Sequence, residues 1–251
     1  WMHPCNDLYV PWVERRLPEC DVRLGTTRFL ESKFACRVFH VGVDTDRFRP
    51  QDPAAVAALK RELGLEGKKL VVFGGVARAH KGLETFAEAL AQLARTDVAL
   101  LILGPANDCV RQLMQHPLYG KFVLCPATDA EATRRIHRDM PLFLGLGDAL
   151  IVPLGDSQMA RSQMPCKVFE AMAMGKPVVA SAVSDLPEVL QGCGHLVPPN
   201  STEAAAQALA AVFADPEAAR AMGERARERC VERYGAETSR KALLALLDEL
   251  K

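Results

Sequence analysis

The run Ala149-Leu150-Ile151-Val152-Pro153, a polar loop, and then Met164-Pro165-Cys166-Lys167-Val168-Phe169-Glu170-Ala171-Met172-Ala173-Met174-Gly175-Lys176-Pro177 decides the fold. It reads as an apolar strand, a loop, and a helix with a lysine in its first turn. A second stretch has the same layout: Lys69-Leu70-Val71-Val72-Phe73-Gly74-Gly75-Val76-Ala77-Arg78-Ala79-His80-Lys81-Gly82. A helix N-terminus carries partial positive charge, so a lysine there has the wrong sign for helix stability. Two such lysines beyond strand ends make sense if an anion lies between them, and a diphosphate fits best.

Working outward, short apolar runs alternate with helical patterns from residue 69 onward. The expected strands are Leu70–Gly74, Ala99–Leu103, Phe122–Cys125, Ala149–Pro153, Pro177–Ser181 and His195–Val197. The expected helices between them are Gly82–Ala94, Asp108–His116, Ala130–His137, Pro165–Met174 and Leu186–Leu190. Strands that are continuous Val/Ile/Leu runs are covered on both faces. The repeating β-α order predicts an α/β fold with a Rossmann-like, doubly wound parallel sheet. Three helical segments without strands, Thr202–Phe213, Pro216–Tyr234 and Glu237–Leu250, predict a C-terminal helical tail. Upstream, a strand (Asp21–Gly25), a helix (Arg28–Phe34) and a strand (Arg37–His40) are expected, with Thr45–Pro53 as a linker. The opening, Trp1 to Cys20, shows no clear periodicity, and its start at Trp1 suggests that the natural N-terminus is missing.

Composition sets outer limits. Of 251 residues, 49% are hydrophobic and 25% charged, as in an ordinary globular protein. The 31 basic and 31 acidic residues cancel, so no global field favours nucleic acid or an anionic membrane, and any anion needs a local site. The cysteines form no CxxC pair and no zinc-type cluster, which points to no metal and to a reducing cytoplasm. No apolar run approaches the roughly 20 residues of a membrane helix. Asn200-Ser201-Thr202 matches a glycosylation sequon, but Asn200 followed by Glu203 reads better as a helix N-cap with its box partner.

Ligands of such sheets bind beyond the carboxyl ends of the strands. Arg78 and Lys81 fall there after the glycine pair Gly74-Gly75, and Lys167 falls there after the later strand. With Pro165 at the first helical position, Glu170 shares the face of Lys167. The cation would meet a diphosphate and the carboxylate a ribose. Alternatively, Lys81 is a solvated surface charge and Glu170 simply pairs with Lys167.

The segment Lys167 to Ser181 closely resembles the signature of the family 4 (group 1) retaining glycosyltransferases of the GT-B fold. Gly42-Val43-Asp44-Thr45-Asp46-Arg47-Phe48-Arg49-Pro50 resembles the family's interdomain segment, and His80-Lys81-Gly82-Leu83-Glu84-Thr85-Phe86 its donor-phosphate loop. The resemblance implies a donor-binding half of a two-domain enzyme: residues 1–50 as a remnant of the N-terminal domain plus linker, 51–235 as the donor domain, 236–251 as the crossover helix. It implies that Lys81 and Lys167 bind the donor diphosphate and Glu170 the ribose, with Arg78 in place of the family's arginine, which stands where this chain has Val76. The first of the family's two glutamates is Ser162 here, leaving Asp156, Ser157, Arg161 and Gln163 as further contacts for the donor sugar. The partners implied are a nucleotide sugar and a sugar, glycan or lipid-linked acceptor, with no cofactor. Location would be cytoplasmic, with any peripheral membrane contact made through the absent half. Two other readings use the same residues: a nucleotide-sugar epimerase, and a degenerate donor domain serving as a binding or assembly module.

Overall fold

The computed structural model describes residues 11–250. A short parallel pair, β1 (Leu24–Gly25) and β2 (Arg37–Val38), flanks helix α2 (Arg28–Phe34), and α1 (Pro11–Arg16) precedes them. The main sheet has six parallel strands: β3 (Lys69–Gly74), β4 (Val98–Leu103), β5 (Val123–Leu124), β6 (Ala149–Val152), β7 (Val178–Ser181) and β8 (His195–Val197). Their spatial order is β5-β4-β3-β6-β7-β8, so the winding reverses between β3 and β6. Every residue of β4, β6 and β7 is buried, as covering both faces demands. The helices are α3 (Pro53–Glu62), α4 (Leu83–Gln92), α5 (Asp108–Gln115), α6 (Ala130–Arg138), α7 (Met140–Gly145), α8 (Gln158–Arg161), α9 (Cys166–Ala173) and α10 (Leu186–Val189). The tail adds α11 (Thr202–Ala214), α12 (Pro216–Arg233) and α13 (Ala236–Asp248). Helix α4 packs on α11, and α9 on α12.

Several sequence expectations need correction. The linker ends in a helix: Asp52 accepts from the Ala54 amide (3.1 Å) and Pro53 opens the first turn. Only Leu59 of α3 is buried, so no apolar stripe announced it. The polar loop after β6 contains α8, capped by the Ser157 hydroxyl, which accepts from the Ala160 amide (3.1 Å). Helices α1 and α7 were also unforeseen. Pro165 caps α9 rather than opening it, which leaves Lys167 in the first turn. Asn200 is not a cap. It adopts a left-handed conformation (φ 60°), and the Ser201 hydroxyl accepts from the Ala204 amide instead (3.3 Å). Replacing Ser201 with alanine is therefore expected to cost about 1 kcal/mol, read as a fall in Tm of roughly 2–4 °C. Asn200→Gly, which suits the left-handed backbone, should leave Tm unchanged or raise it.

The tail returns to the N-terminal segment. At the α12–α13 turn the Val43 amide donates to the Tyr234 carbonyl (2.9 Å) and the Val43 carbonyl accepts from the Ala236 amide (2.8 Å); the Ser239 hydroxyl donates to the His40 carbonyl (3.0 Å), and Arg37 pairs with Glu249 (2.6 Å). Leu246 of α13 is buried, while Leu243, Leu244, Leu247 and Leu250 are exposed, as expected for an uncovered apolar face. No helix among the described residues is long and apolar enough to cross a membrane.

Candidate functional site

The chain leaves β3 through Gly74 and Gly75. Gly75 has φ 113°, a region nearly closed to other residues, and an added Cβ would collide with the Lys167 side chain. On its other side, Gly104, just past β4, lies so close to the Gly75 carbonyl that a Cβ there would strike it. Gly104 thus lets the Gly75 backbone come close, and the bare face of Gly75 leaves room for the Lys167 side chain reaching from the first turn of α9.

Lys81 arrives from the same side. It closes a 3-10 turn (Ala79–Lys81), after which Gly82 (φ 63°) redirects the chain into α4. Its ammonium donates to the Val76 carbonyl (2.9 Å) and stands 5.8 Å from the Phe73 ring centre. Burial, and then the like charges of Lys167 and Arg78, push the Lys81 amine down to about 8. It is not a solvated surface charge. Arg78 stands exposed at the rim, without an ion pair among the described residues.

Glu170 lies one turn deeper on α9 and is half-buried. Burial raises its carboxyl above the usual range, against the opposing pull of Lys167 and Arg47. No Lys167–Glu170 ion pair occurs among the described residues, so the pairing alternative does not describe this site. Arg47 was missed by the sequence reading. Its guanidinium donates to the carbonyls of His137 (3.3 Å) and Arg138 (3.4 Å) at the end of α6, a long-range placement with no local signature.

The loop after β6 is fastened to the Lys81 turn: the Gly155 amide donates to the His80 carbonyl (3.1 Å), and the Leu154 amide to the buried Ser181 hydroxyl (3.0 Å). Farther along, Asp156 and Arg161 form an ion pair (2.8 Å) with both side chains about half exposed. Ser162 is buried, its hydroxyl donating to the Met159 carbonyl (2.9 Å), and Gln163 beside it is half-buried. Among the described residues, no group of three or more His, Cys, Asp or Glu side chains is placed to hold a metal ion.

A doubly wound domain of Rossmann topology, with cations from two strand-helix units converging at its switch point, defines the class. The sequence model for glycosyl transferases group 1 matches residues 67–215, which spans the cationic loops and α9. The chain belongs to that family. It is 32% identical over 197 residues to the GDP-mannose-dependent alpha-(1-6)-phosphatidylinositol monomannoside mannosyltransferase of Mycobacterium tuberculosis, covering 74% of this chain and 49% of that one. It is 27% identical over 190 residues to the alpha-D-kanosaminyltransferase of Streptomyces kanamyceticus, covering 72% and 46%. The chain thus spans about half the length of the curated relatives it matches. Among solved structures, Anabaena HepE in complex with UDP-glucose superposes with a TM-score of 0.79 at 18% identity, over 97% of this chain and 70% of that one. Sucrose-phosphate synthase from Thermosynechococcus elongatus does so with 0.75 at 23% identity, over 95% and 60%. These likenesses show the Rossmann-like α/β fold that this chain shares with part of those GT-B glycosyltransferases.

Proposed function

We propose that this chain is the donor-binding part of a glycosyltransferase that moves a sugar from a nucleotide sugar to an acceptor. The observation that carries this reading is the approach of Lys167 along Gly75 to the turn that holds Lys81. Residues 51–235 form the donor domain, residues 1–50 belong with an acceptor-binding half, and α13 crosses back toward it. Lys81, Lys167 and Arg78 hold the diphosphate, Gly74 and Gly75 admit it, and Glu170 accepts hydrogen bonds from the ribose hydroxyls. The loop carrying Asp156, Ser157, Arg161 and Gln163 faces the donor sugar, with Ser162 shaping it from below.

In the reaction, the anomeric C–O bond to the diphosphate breaks while a bond from the acceptor oxygen to that carbon forms. The acceptor proton passes to the departing diphosphate, and attack on the same face retains the configuration. Charge grows on the diphosphate as its bond lengthens, so fixed ammonium groups stabilise the transition state more than the ground state. The curated relatives' names support transfer chemistry, and the protein works on the side of the membrane where nucleotide sugars are made.

Lys81 gives the site a pH dependence. An anionic diphosphate binds the protonated amine better, so affinity should be constant below about pH 8 and weaken by up to about tenfold per pH unit above it. Near pH 8 binding should take up a proton, which calorimetry in buffers of different ionisation enthalpy detects. Folding shows the complementary sign. The unfolded chain holds this proton more tightly, so the contribution of Lys81 to stability rises with pH between about 8 and 10.5.

The test is calorimetric titration of the chain with UDP-, GDP- and ADP-sugars. Binding of one nucleotide class supports the reading and identifies its base, whereas no binding by a folded sample contradicts it.

A further inference from the structure

Residues 40–43, which lead into the linker, meet α9 and the α12–α13 corner at an aromatic cluster. The His40 ring lies 5.6 Å from the Phe169 ring, tilted at 56°, and 5.6 Å from the Tyr234 ring, edge-on at 70°. Phe169 and Tyr234 stack on each other at 4.6 Å. Nothing in the site described above uses this histidine. We propose that His40 is an acid-sensitive latch: as a neutral imidazole it fastens residues 40–43 and α13 to the sheet domain, and on protonation it releases them. The latch does not rest on the function proposed above. Under that reading, the released segments are those that run toward the acceptor-binding half.

The surroundings of the ring favour its neutral form. Nε2 is buried and has no hydrogen-bond partner among the described residues, whereas the Thr26 backbone bonds the ring, which leaves Nδ1 as the engaged atom. A second proton would sit on Nε2 as a buried N–H with no acceptor. Burying an unpaired charged donor is costly, and an aromatic face offsets only part of that cost. The nearby charged groups do not supply the missing acceptor. Asp185 accepts from the Arg28 amide (3.0 Å) and Glu188 from the Arg28 guanidinium (2.8 and 2.9 Å), while the charge of Arg28 itself opposes a further cation. At the corner, burial keeps the Tyr234 hydroxyl neutral, with Arg229 and Arg233 beyond it, and α9 contributes the uncharged Phe169. Burial therefore holds the imidazole below its ordinary 6.5, and the two carboxylates recover only part of the difference.

The parts that the latch fastens have little else to hold them. Of α13 only Leu246 is buried, so the helix depends on its contacts with the segment at His40. These are the Ser239 hydroxyl on the His40 carbonyl (3.0 Å), the Ala236 amide on the Val43 carbonyl (2.8 Å) and the Arg37–Glu249 pair (2.6 Å). Gly42 lies so close to the Gly235 carbonyl and the Ser239 hydroxyl that an added Cβ would strike both, so the two stretches are seated against each other. A unit with so little buried apolar surface opens at low cost, and one titrating group can shift its equilibrium. The released ring binds its proton with ordinary affinity and the latched ring binds it more weakly. The closed form is therefore fully favoured above pH 6.5 and loses ground as the pH falls below it.

The experiment is amide hydrogen exchange on the chain, corrected for the intrinsic rate and read by mass spectrometry over residues 40–43 and α13. In wild type, opening of both is expected to rise by up to about tenfold between about pH 7.5 and about pH 5.5, with the sheet unchanged. His40→Phe keeps an aromatic ring that takes up no proton, and it should lose this dependence. Ser239→Ala should open more at both pH values and keep the dependence. If His40→Phe does not fold, the imidazole nitrogen shifts of wild-type His40 decide, since Nε2 must stay unprotonated while α13 is closed. Exchange in α13 that is independent of pH in wild type overturns the proposal. So does an equal dependence in folded His40→Phe, or a protonated Nε2 in a chain whose α13 stays protected.

Discussion

Replacing Lys167 with alanine is expected to weaken nucleoside diphosphate binding by about 10- to 100-fold, the worth of a hydrogen bond to a charged group at roughly 1.5–3 kcal/mol. The loss should be specific. Lys167 makes no ion pair among the described residues, and its half-buried side chain ends over Gly75, so little native structure depends on it. Removing it also removes a repulsive neighbour of Lys81, whose amine should then titrate above about 8. The variant is accordingly expected to show Tm equal to or slightly above that of wild type while affinity falls. Calorimetry and a melting curve on one preparation check both.

The second large effect is expected at Gly75. An alanine there must adopt φ near 113° and collide with Lys167, so backbone strain alone should cost roughly 1–3 kcal/mol. Because the collision is with the binding lysine, Gly75→Ala should abolish most diphosphate affinity as well as lower Tm. Combining it with Lys167→Ala tests the cause. The steric part should be relieved, and the pair should be less destabilised than the sum of the single changes, with a coupling in the range of about 0.5–3 kcal/mol. Strict additivity in Tm would mean that the lysine is not what the methyl group meets.

Much of this arrangement was legible in the sequence because it is local. The strands announced themselves as unbroken apolar runs, and β8 was read residue for residue. Lys167 was conspicuous because its sign is unfavourable in the first turn of a helix, whereas Lys81, expected in a like place, closes the 3-10 turn that precedes α4. What escaped depends on contacts between distant segments. Helix α3 buries little beyond Leu59 and so leaves no periodic trace. The left-handed backbone of Asn200 passed the cap to Ser201, although both residue types favour that position. Arg47 lies in a segment that reads as a connector, and only folding brings it to the end of α6 and toward Glu170. The ion pair that the sequence allowed between Lys167 and Glu170 is not made among the described residues, and burial rather than Lys167 dominates the carboxyl of Glu170.

Under the proposed function, Lys81 and Lys167, carried by separate strand-helix units, jointly hold one diphosphate. The most direct test compares the affinities of UDP, GDP and ADP with those of their monophosphates, in wild type, Lys81→Ala and Lys167→Ala. Wild type is expected to prefer the diphosphate of one base over its monophosphate, and either alanine to remove most of that preference. Equal affinity for mono- and diphosphates in wild type, or an undiminished preference in both variants, would contradict it.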